Sequence, residues 1–289
     1  ALSSERQMCI RDSGYTLRMF SDSAARVLKE FVFTRPVTLS GGGMFPMGDD
    51  MKLMKGRIRF DASAGRVRYP LLGTTLDLGR TKGEVLISPQ WVVVDKMMGT
   101  IWDGTFTGRI LAQIDDGDAL NGSFVLQDMN LTSIGKSYDK KMEKATVHGA
   151  IEFSSKGGNM NSIQAKGEAA LVHGDLVEIP LFGFLGEALS NYIPGLGHLI
   201  NYKISRADCD FSIEKGYVRT SNFAAQGSNM SLEGGGWIRL SDLQVNSDFK
   251  LGLRGLPGFI TSPVFLLAGG LFQVRGTGPL SNVSWNFAP

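Results

Sequence analysis

Residues 208–214 read Asp-Cys-Asp-Phe-Ser-Ile-Glu, and residues 248–254 read Asp-Phe-Lys-Leu-Gly-Leu-Arg. In the first stretch Cys209, Phe211 and Ile213 alternate with Asp208, Asp210, Ser212 and Glu214. In the second, Phe249, Leu251 and Leu253 alternate with Asp248, Lys250 and Arg254. Successive side chains of a strand point to opposite faces, so strict alternation marks a strand with one dry and one wet face.

Working outward, the same pattern recurs. Lys55, Arg57 and Arg59 alternate with Ile58 and Phe60, and Arg66-Val67-Arg68-Tyr69 repeats it beyond an Ala-Gly turn, which predicts a hairpin. Short strands are expected over 74–78, 83–88, 91–96, 99–102 and 104–113, with Asp103-Gly104 as a two-residue turn. Residues 122–126 form another alternating run, and 145–154 and 163–172 read as paired strands around Lys156-Gly157-Gly158-Asn159.

Helical spacing is rarer. Ala24, Val27, Leu28 and Phe31 predict a short helix over 21–33, capped by Ser21 or Asp22. Residues 131–141 read as a short polar helix. Leu181, Leu185, Leu189, Tyr192, Ile193, Leu196 and Ile200 form an apolar stripe, expected as two short helices joined at Pro194-Gly195. A third small helix is expected over 256–271, and final strands over 272–276 and 285–287. The fold class is therefore mainly β with a few short apolar helices. No Ser/Pro-rich linker interrupts it, which favours one continuous β architecture.

Composition narrows the function. Of 289 residues 43% are hydrophobic and 20% charged, which fits a folded chain rather than a disordered one. Thirty-seven glycines without a collagen period imply turns, bulges and strand ends, and the runs at 41–43 and 234–236 read as strand breaks or bulges. A net charge of +2, with Lys136–Lys144 interleaved with acids, leaves no electrostatic footprint for nucleic acid. No stretch reaches the ~18 unbroken apolar residues of a spanning helix.

Residues 1–13, ALSSERQMCIRDS, resemble translated sequencing-adaptor sequence, so the natural sequence is expected to begin near Gly14 with its upstream part missing. Cys9 would then be artefactual. Two cysteines, Cys9 and Cys209, make no disulfide framework.

Catalytic and metal constellations are not expected. His148, His173 and His198 have no ligand spacing with one another or with Cys209. Asp115, Asp116 and Asp118 lack the later Glu of a calcium loop and read as a solvated tip, as do Asp49 and Asp50. Neither Gly run carries Gly-Lys-Ser/Thr, and no Gly-x-Ser-x-Gly elbow occurs. No cofactor and no enzymatic activity are expected.

The order of segments carries a resemblance. Residues 174–287 contain GDLVEIPLFGFL, DCDFSIEKGYVRT, GSNMSLEGGGWIRLSDLQVNSDFKL and LFQVRGTGPLSNVSWNF. Their order resembles the C-terminal region of the AsmA-like family of bacterial envelope proteins, including the Phe272, Val274, Gly276, Thr277, Pro279 ending. Residues 36–172 look like the preceding β-rich part, with looser motifs. Three segments follow: a 1–13 leader, a β-rich part over 14–173 and an AsmA-like part over 174–289. The resemblance implies a long, curved antiparallel sheet forming a half-open, taco-like groove in the periplasm of a diderm bacterium. It implies an inner-membrane anchor in missing upstream sequence, outer-membrane or periplasmic protein partners, and movement of phospholipid between membranes in support of outer-membrane biogenesis.

A seven-residue strand spans about 23 Å, close to an acyl chain. Phe211, Ile213, Ile238, Leu240, Phe249, Leu251 and Leu253 are the expected groove lining, burying lipid tails at ~0.8 kcal/mol per CH2. Leu181, Phe182, Leu185, Leu189, Tyr192 and Ile193 would cap the groove or touch the membrane. The same alternation would equally build a sealed core in a structural or interaction protein without lipid.

Overall fold

The structure is a computed structural model and describes residues 32–44, 55–71, 74–113, 119–137, 144–156, 162–172, 204–228, 230–253, 271–280 and 282–288. Among these residues the chain is mainly β, an antiparallel open sheet of sixteen strands with one short helix. The strands are β1 (Val32–Phe33), β2 (Thr38–Met44), β3 (Lys55–Asp61), β4 (Arg66–Leu71), β5 (Thr74–Ile87), β6 (Trp91–Ile101), β7 (Gly104–Gln113), β8 (Leu120–Asn130), β9 (Thr146–Ser155), β10 (Gln164–Val172), β11 (Ile204–Glu214), β12 (Tyr217–Gly227), β13 (Met230–Arg239), β14 (Gln244–Leu253), β15 (Leu271–Pro279) and β16 (Ser284–Ala288). The helix, α1 (Leu131–Ser137), is capped by Asn130, whose Oδ1 accepts from the Thr132 amide at 2.9 Å. Val32 and Phe33, expected at the end of a helix, are strand. The remainder of that helix and the apolar helices expected over 181–200 and 256–271 lie outside the described residues, except Leu271, which is strand and opens β15.

Two compact units divide the chain. Of the described residues, the first comprises those up to Met129 with Ser137 and 152–156, and the second comprises the others. In the first unit the long β5 organises its neighbours. β4 pairs with its first half (Arg66↔Gly79, Leu71↔Thr74) and β3 with its second (Gly56↔Ile87, Asp61↔Lys82). The hairpin expected between β3 and β4 is therefore not formed, and the two strands lie end to end along β5. The fourteen-residue β5 offers each of them a better partner than the other, and local contacts turn the chain to suit. Asp61 accepts the Ser63 amide at 2.8 Å and the Ala62 amide donates to the Thr81 carbonyl, which turns the chain along β5 instead of back on β3.

Several strands expected as separate pieces are continuous. Residues 74–87 are one strand and 91–101 another. The apparent breaks are bulges, where the register of β5 on β6 shifts on either side of Lys82 and that of β6 on β7 between Val94 and Met97. Arg80 and Lys96 take φ of 47° and 50° at these points. A bulge adds a residue to one strand, keeps the apolar rows on one face and sharpens the twist. The β6–β7 turn sits one residue earlier than expected. Trp102 and Asp103 occupy it with φ of 48° and 61°, and Gly104 starts β7. Gly104 is required there because a Cβ would run into the Gln127 carbonyl.

Beyond α1, β9 to β16 pair in sequence order. The Gly234–Gly236 run is not a break, since β13 pairs with β14 without interruption from Met230↔Leu253 to Arg239↔Gln244. The irregularity lies opposite, in β12, between Thr220 and Phe223. Gly235 accommodates it, because a Cβ there would meet Ser221 Cα at 2.8 Å. Gly41–Gly43 likewise pair regularly with β3.

Registers make most of the interior glycines intelligible. Gly83, Gly99, Gly108, Gly122, Gly167, Gly234 and Gly276 each lie under an aromatic ring of a neighbouring strand: Phe60, Phe106, Phe124, Phe153, Phe211, Phe249 and Trp285. In six of these seven pairs the two residues are direct cross-strand partners, for example Gly99↔Phe106, Gly108↔Phe124, Gly167↔Phe211 and Gly276↔Trp285. A ring laid on a glycine fills the space a side chain would take and covers backbone that would otherwise be bare. A Cβ at Gly234 would stand 2.8 Å from Phe249 and closer to the Asp248 carbonyl oxygen, whereas one at Gly42 meets nothing within 4 Å. Gly234→Ala is expected to cost about 1–3 kcal/mol in urea unfolding, and Gly42→Ala to be neutral or slightly stabilising. Equal effects of the two substitutions would contradict the ring-on-glycine account.

Candidate apolar binding face

Cross-strand partners share a face, so the registers can be followed from strand to strand. In the second unit one row runs Ile213–Val218–Ile238–Val245 and another Ala207–Ala225–Leu232–Leu251. Between them lie Phe211 on β11, Phe223 on β12 and Phe249 on β14. Of the seven expected lining residues, Phe211, Ile213, Ile238, Phe249 and Leu251 belong to this side by register or by strand parity. Leu240 lies just past β13 in the turn, its amide donating to the Gly216 carbonyl at 2.8 Å. Leu253 is placed by its backbone, opposite Met230. The six expected capping residues, Leu181 to Ile193, lie outside the described residues.

Burial divides this face. Leu232, Leu251 and Val274 are at 0% exposure, so the β13–β15 stretch is closed around them, and Ile204 at the start of β11 is at 1%. Each such side chain contributes roughly 1.5–3 kcal/mol by leaving water. On β10–β12 the small residues Ala165, Ala207 and Ala225 are buried, while Leu171, Cys209, Phe211, Ile213, Val218 and Phe223 are half-buried. Aromatic contacts run along the face, with Phe223 to Phe249 at 5.4 Å and Phe249 to Trp285 at 6.0 Å.

The first unit repeats the arrangement. Ile58–Val85–Val94–Ile110–Gly122 is one row, and its four apolar side chains are half-buried. Phe106, Phe124 and Phe153 follow one another at 6.4 and 6.1 Å, the latter pair stacked within 3° of parallel. A closed end forms where Val37, Ala62 and Val67 are buried beneath Phe33, Leu39, Phe60 and Leu78.

The opposite side of each unit is mostly polar and internally paired. Glu84 is held by Arg57 at 3.4 Å and Arg59 at 3.5 Å, and Arg275 donates to Asp248 at 2.7 Å. Leu86, Val93 and Leu111 form an apolar rung there in the first unit, with Val93 buried, and Trp91, Met98 and Val125 are exposed on the same side. Among the described residues no group of three or more His, Cys, Asp and Glu is placed to hold a metal ion, and no helix is long and apolar enough to cross a membrane. Alternation pointed to the rows. The ring-on-glycine pairs escaped it, because each partner lies on another strand at a different sequence distance.

Comparison with protein-family models, with curated proteins and with solved structures gave no match for the chain.

Cys209 is a native reporter on the apolar side. Burial raises its thiol pKa, and the neighbouring Asp210 and Asp208 raise it further. A raised pKa means less thiolate at neutral pH and slower alkylation. With Cys9→Ser leaving it as the sole cysteine, Cys209 should react with iodoacetamide more slowly than a free thiol. Its rate should climb at a pH above the free-thiol range and recover fully in urea. A free-thiol rate in the folded chain would contradict the placement.

Proposed function

We propose that this chain is a non-enzymatic periplasmic protein of a diderm bacterium that takes phospholipid acyl chains onto its apolar face and passes them between the inner and outer membranes. The observation that carries the reading is the half-buried row Ile58–Val85–Val94–Ile110 in the first unit, with its counterpart at Phe211 and Ile213 in the second. These positions are apolar, contiguous and only partly covered by their own chain, and a contiguous apolar surface of this kind marks an interaction site. An acyl chain is a fitting occupant, because the rows offer no buried charge and few hydrogen-bond donors, and burial of CH2 groups needs neither. The ordered resemblance of residues 174–287 to AsmA-like proteins supports the same reading and supplies the envelope location and outer-membrane partners as part of the proposal.

A second reading has its own observation. The 0% exposure of Leu232, Leu251 and Val274 is what a structural or interaction protein with a sealed core would show. The burial pattern also selects the test. An Asp at Leu251 would place a carboxylate in a closed interior and unfold the unit. Ile110→Asp and Ile213→Asp alter half-buried positions instead. The purified chain should carry phospholipid in native mass spectrometry, and the double variant should lose most of it while keeping its circular dichroism spectrum. A lipid-free chain, or a folded double variant that retains its lipid, would favour the sealed core.

A further inference from the structure

The turn end of the second unit displays one large apolar side chain, Leu243, that its packing leaves exposed. Three connections meet there: Lys215–Gly216 after β11, 240–243 after β13 and the turn that Leu280 opens after β15. They are tied together, with the Leu240 amide donating to the Gly216 carbonyl at 2.8 Å and the Leu280 amide to the Leu243 carbonyl at 2.9 Å. Leu243 is 49% exposed and holds a φ of 56°. That left-handed conformation favours Gly, Asn or Asp, so a large apolar residue there is strained and gains no burial from the fold. The turn is nonetheless rigid. Arg239 grips Asp242 with two hydrogen bonds of 2.8 and 2.7 Å, and the Asp242 carboxylate also accepts the Gln244 amide at 3.3 Å.

Immediately behind this tip, on the polar side, Tyr217 and Trp237 meet edge to face at 5.3 Å, and the Arg219 guanidinium lies 4.9 Å over the Tyr217 ring. Lys215 stands exposed in the adjoining turn. At the tip an exposed leucine stands beside Lys215, which pairs with Glu214 at 3.7 Å, and behind them come Tyr217 and then Trp237 level with Arg219. A lipid bilayer presents acyl chains, a headgroup boundary and phosphates, and Trp, Tyr, Lys and Arg concentrate at that boundary in membrane-associated proteins.

We propose that this turn end docks on the surface of a phospholipid bilayer, with Leu243 inserted and Lys215 and Arg219 facing the phosphates. The docking stands on the tip's own residues. Its use as an entry point rests on the function proposed above, since the Ile238 row lies close behind the tip.

The test is co-sedimentation of the whole chain with vesicles of mixed phosphatidylethanolamine and phosphatidylglycerol, and with vesicles of phosphatidylcholine alone. Leu243→Asn relieves the backbone and removes the apolar side chain. It should keep or raise the unfolding temperature while weakening vesicle binding about tenfold. Lys215→Glu with Arg219→Glu should abolish the preference for the phosphatidylglycerol mixture. Wild-type chain that fails to sediment, or Leu243→Asn that binds as wild type does, would overturn the proposal. So would a vesicle-free dimer that Leu243→Asn dissolves, because the occupant would then be a second copy. Native mass spectrometry separates the two readings: a chain that binds vesicles through Leu243 but carries no lipid supports the docking tip and sinks the acyl-chain reading.

Discussion

The structure depends on the seating of an aromatic ring on a glycine of the neighbouring strand. Seven such seats recur from Phe60 on Gly83 to Trp285 on Gly276. Each fixes a register, since slipping by one residue would carry the ring to the opposite face and leave the glycine bare. Each also excludes a Cβ, so the glycine is dictated by a ring on the strand it pairs with. Glycine in a strand is otherwise a weakness, exposing backbone and packing nothing. Here the neighbour's ring restores the cover, and the result is a broad face of rings and aliphatic side chains.

That face is uneven in a way that bears on function. Bulges at Arg80, at Lys96 and between Thr220 and Phe223 bend the strands while keeping apolar residues on one side. The β13–β15 stretch is closed over Leu232 and Leu251, and Val37, Ala62 and Val67 close one end of the first unit. Between such stretches lie rows that their own chain only half covers. A protein that needed stability alone would gain by closing them. Polar pairs such as Arg275–Asp248 keep the other face in water and add little to stability, as exposed ion pairs do.

Much of this was legible in the sequence. The alternation at 208–214 and 248–254 assigns the faces of β11 and β14 correctly, and the short polar helix after Asn130 is where its spacing puts it. The errors share one cause, which is that pairing is not local. Lys55–Phe60 and Arg66–Tyr69 look like a hairpin because they share a pattern and a turn, but the fourteen residues of β5 offer both a better partner. The Gly runs look like breaks because isolated glycine signals a turn, and only register shows Gly234 beneath Phe249. The Asp-Gly pair points to a turn one residue too late, because Gly104 is demanded by the nearby Gln127 carbonyl and not by the turn. Of the expected lining, face was readable and depth was not. Leu251 and Ile213 alternate alike, yet one is sealed and the other half-covered.

The central claim is that the ring-bearing face meets lipid. Its most direct measurement is photocrosslinking in cells, with benzoyl-phenylalanine placed at Phe124 and at Phe211 on the apolar face and at Val125, which is 43% exposed on the other side. The account predicts phospholipid adducts at Phe124 and Phe211 and none above background at Val125. Absence of lipid at both apolar positions, or equal adducts at all three, would contradict it.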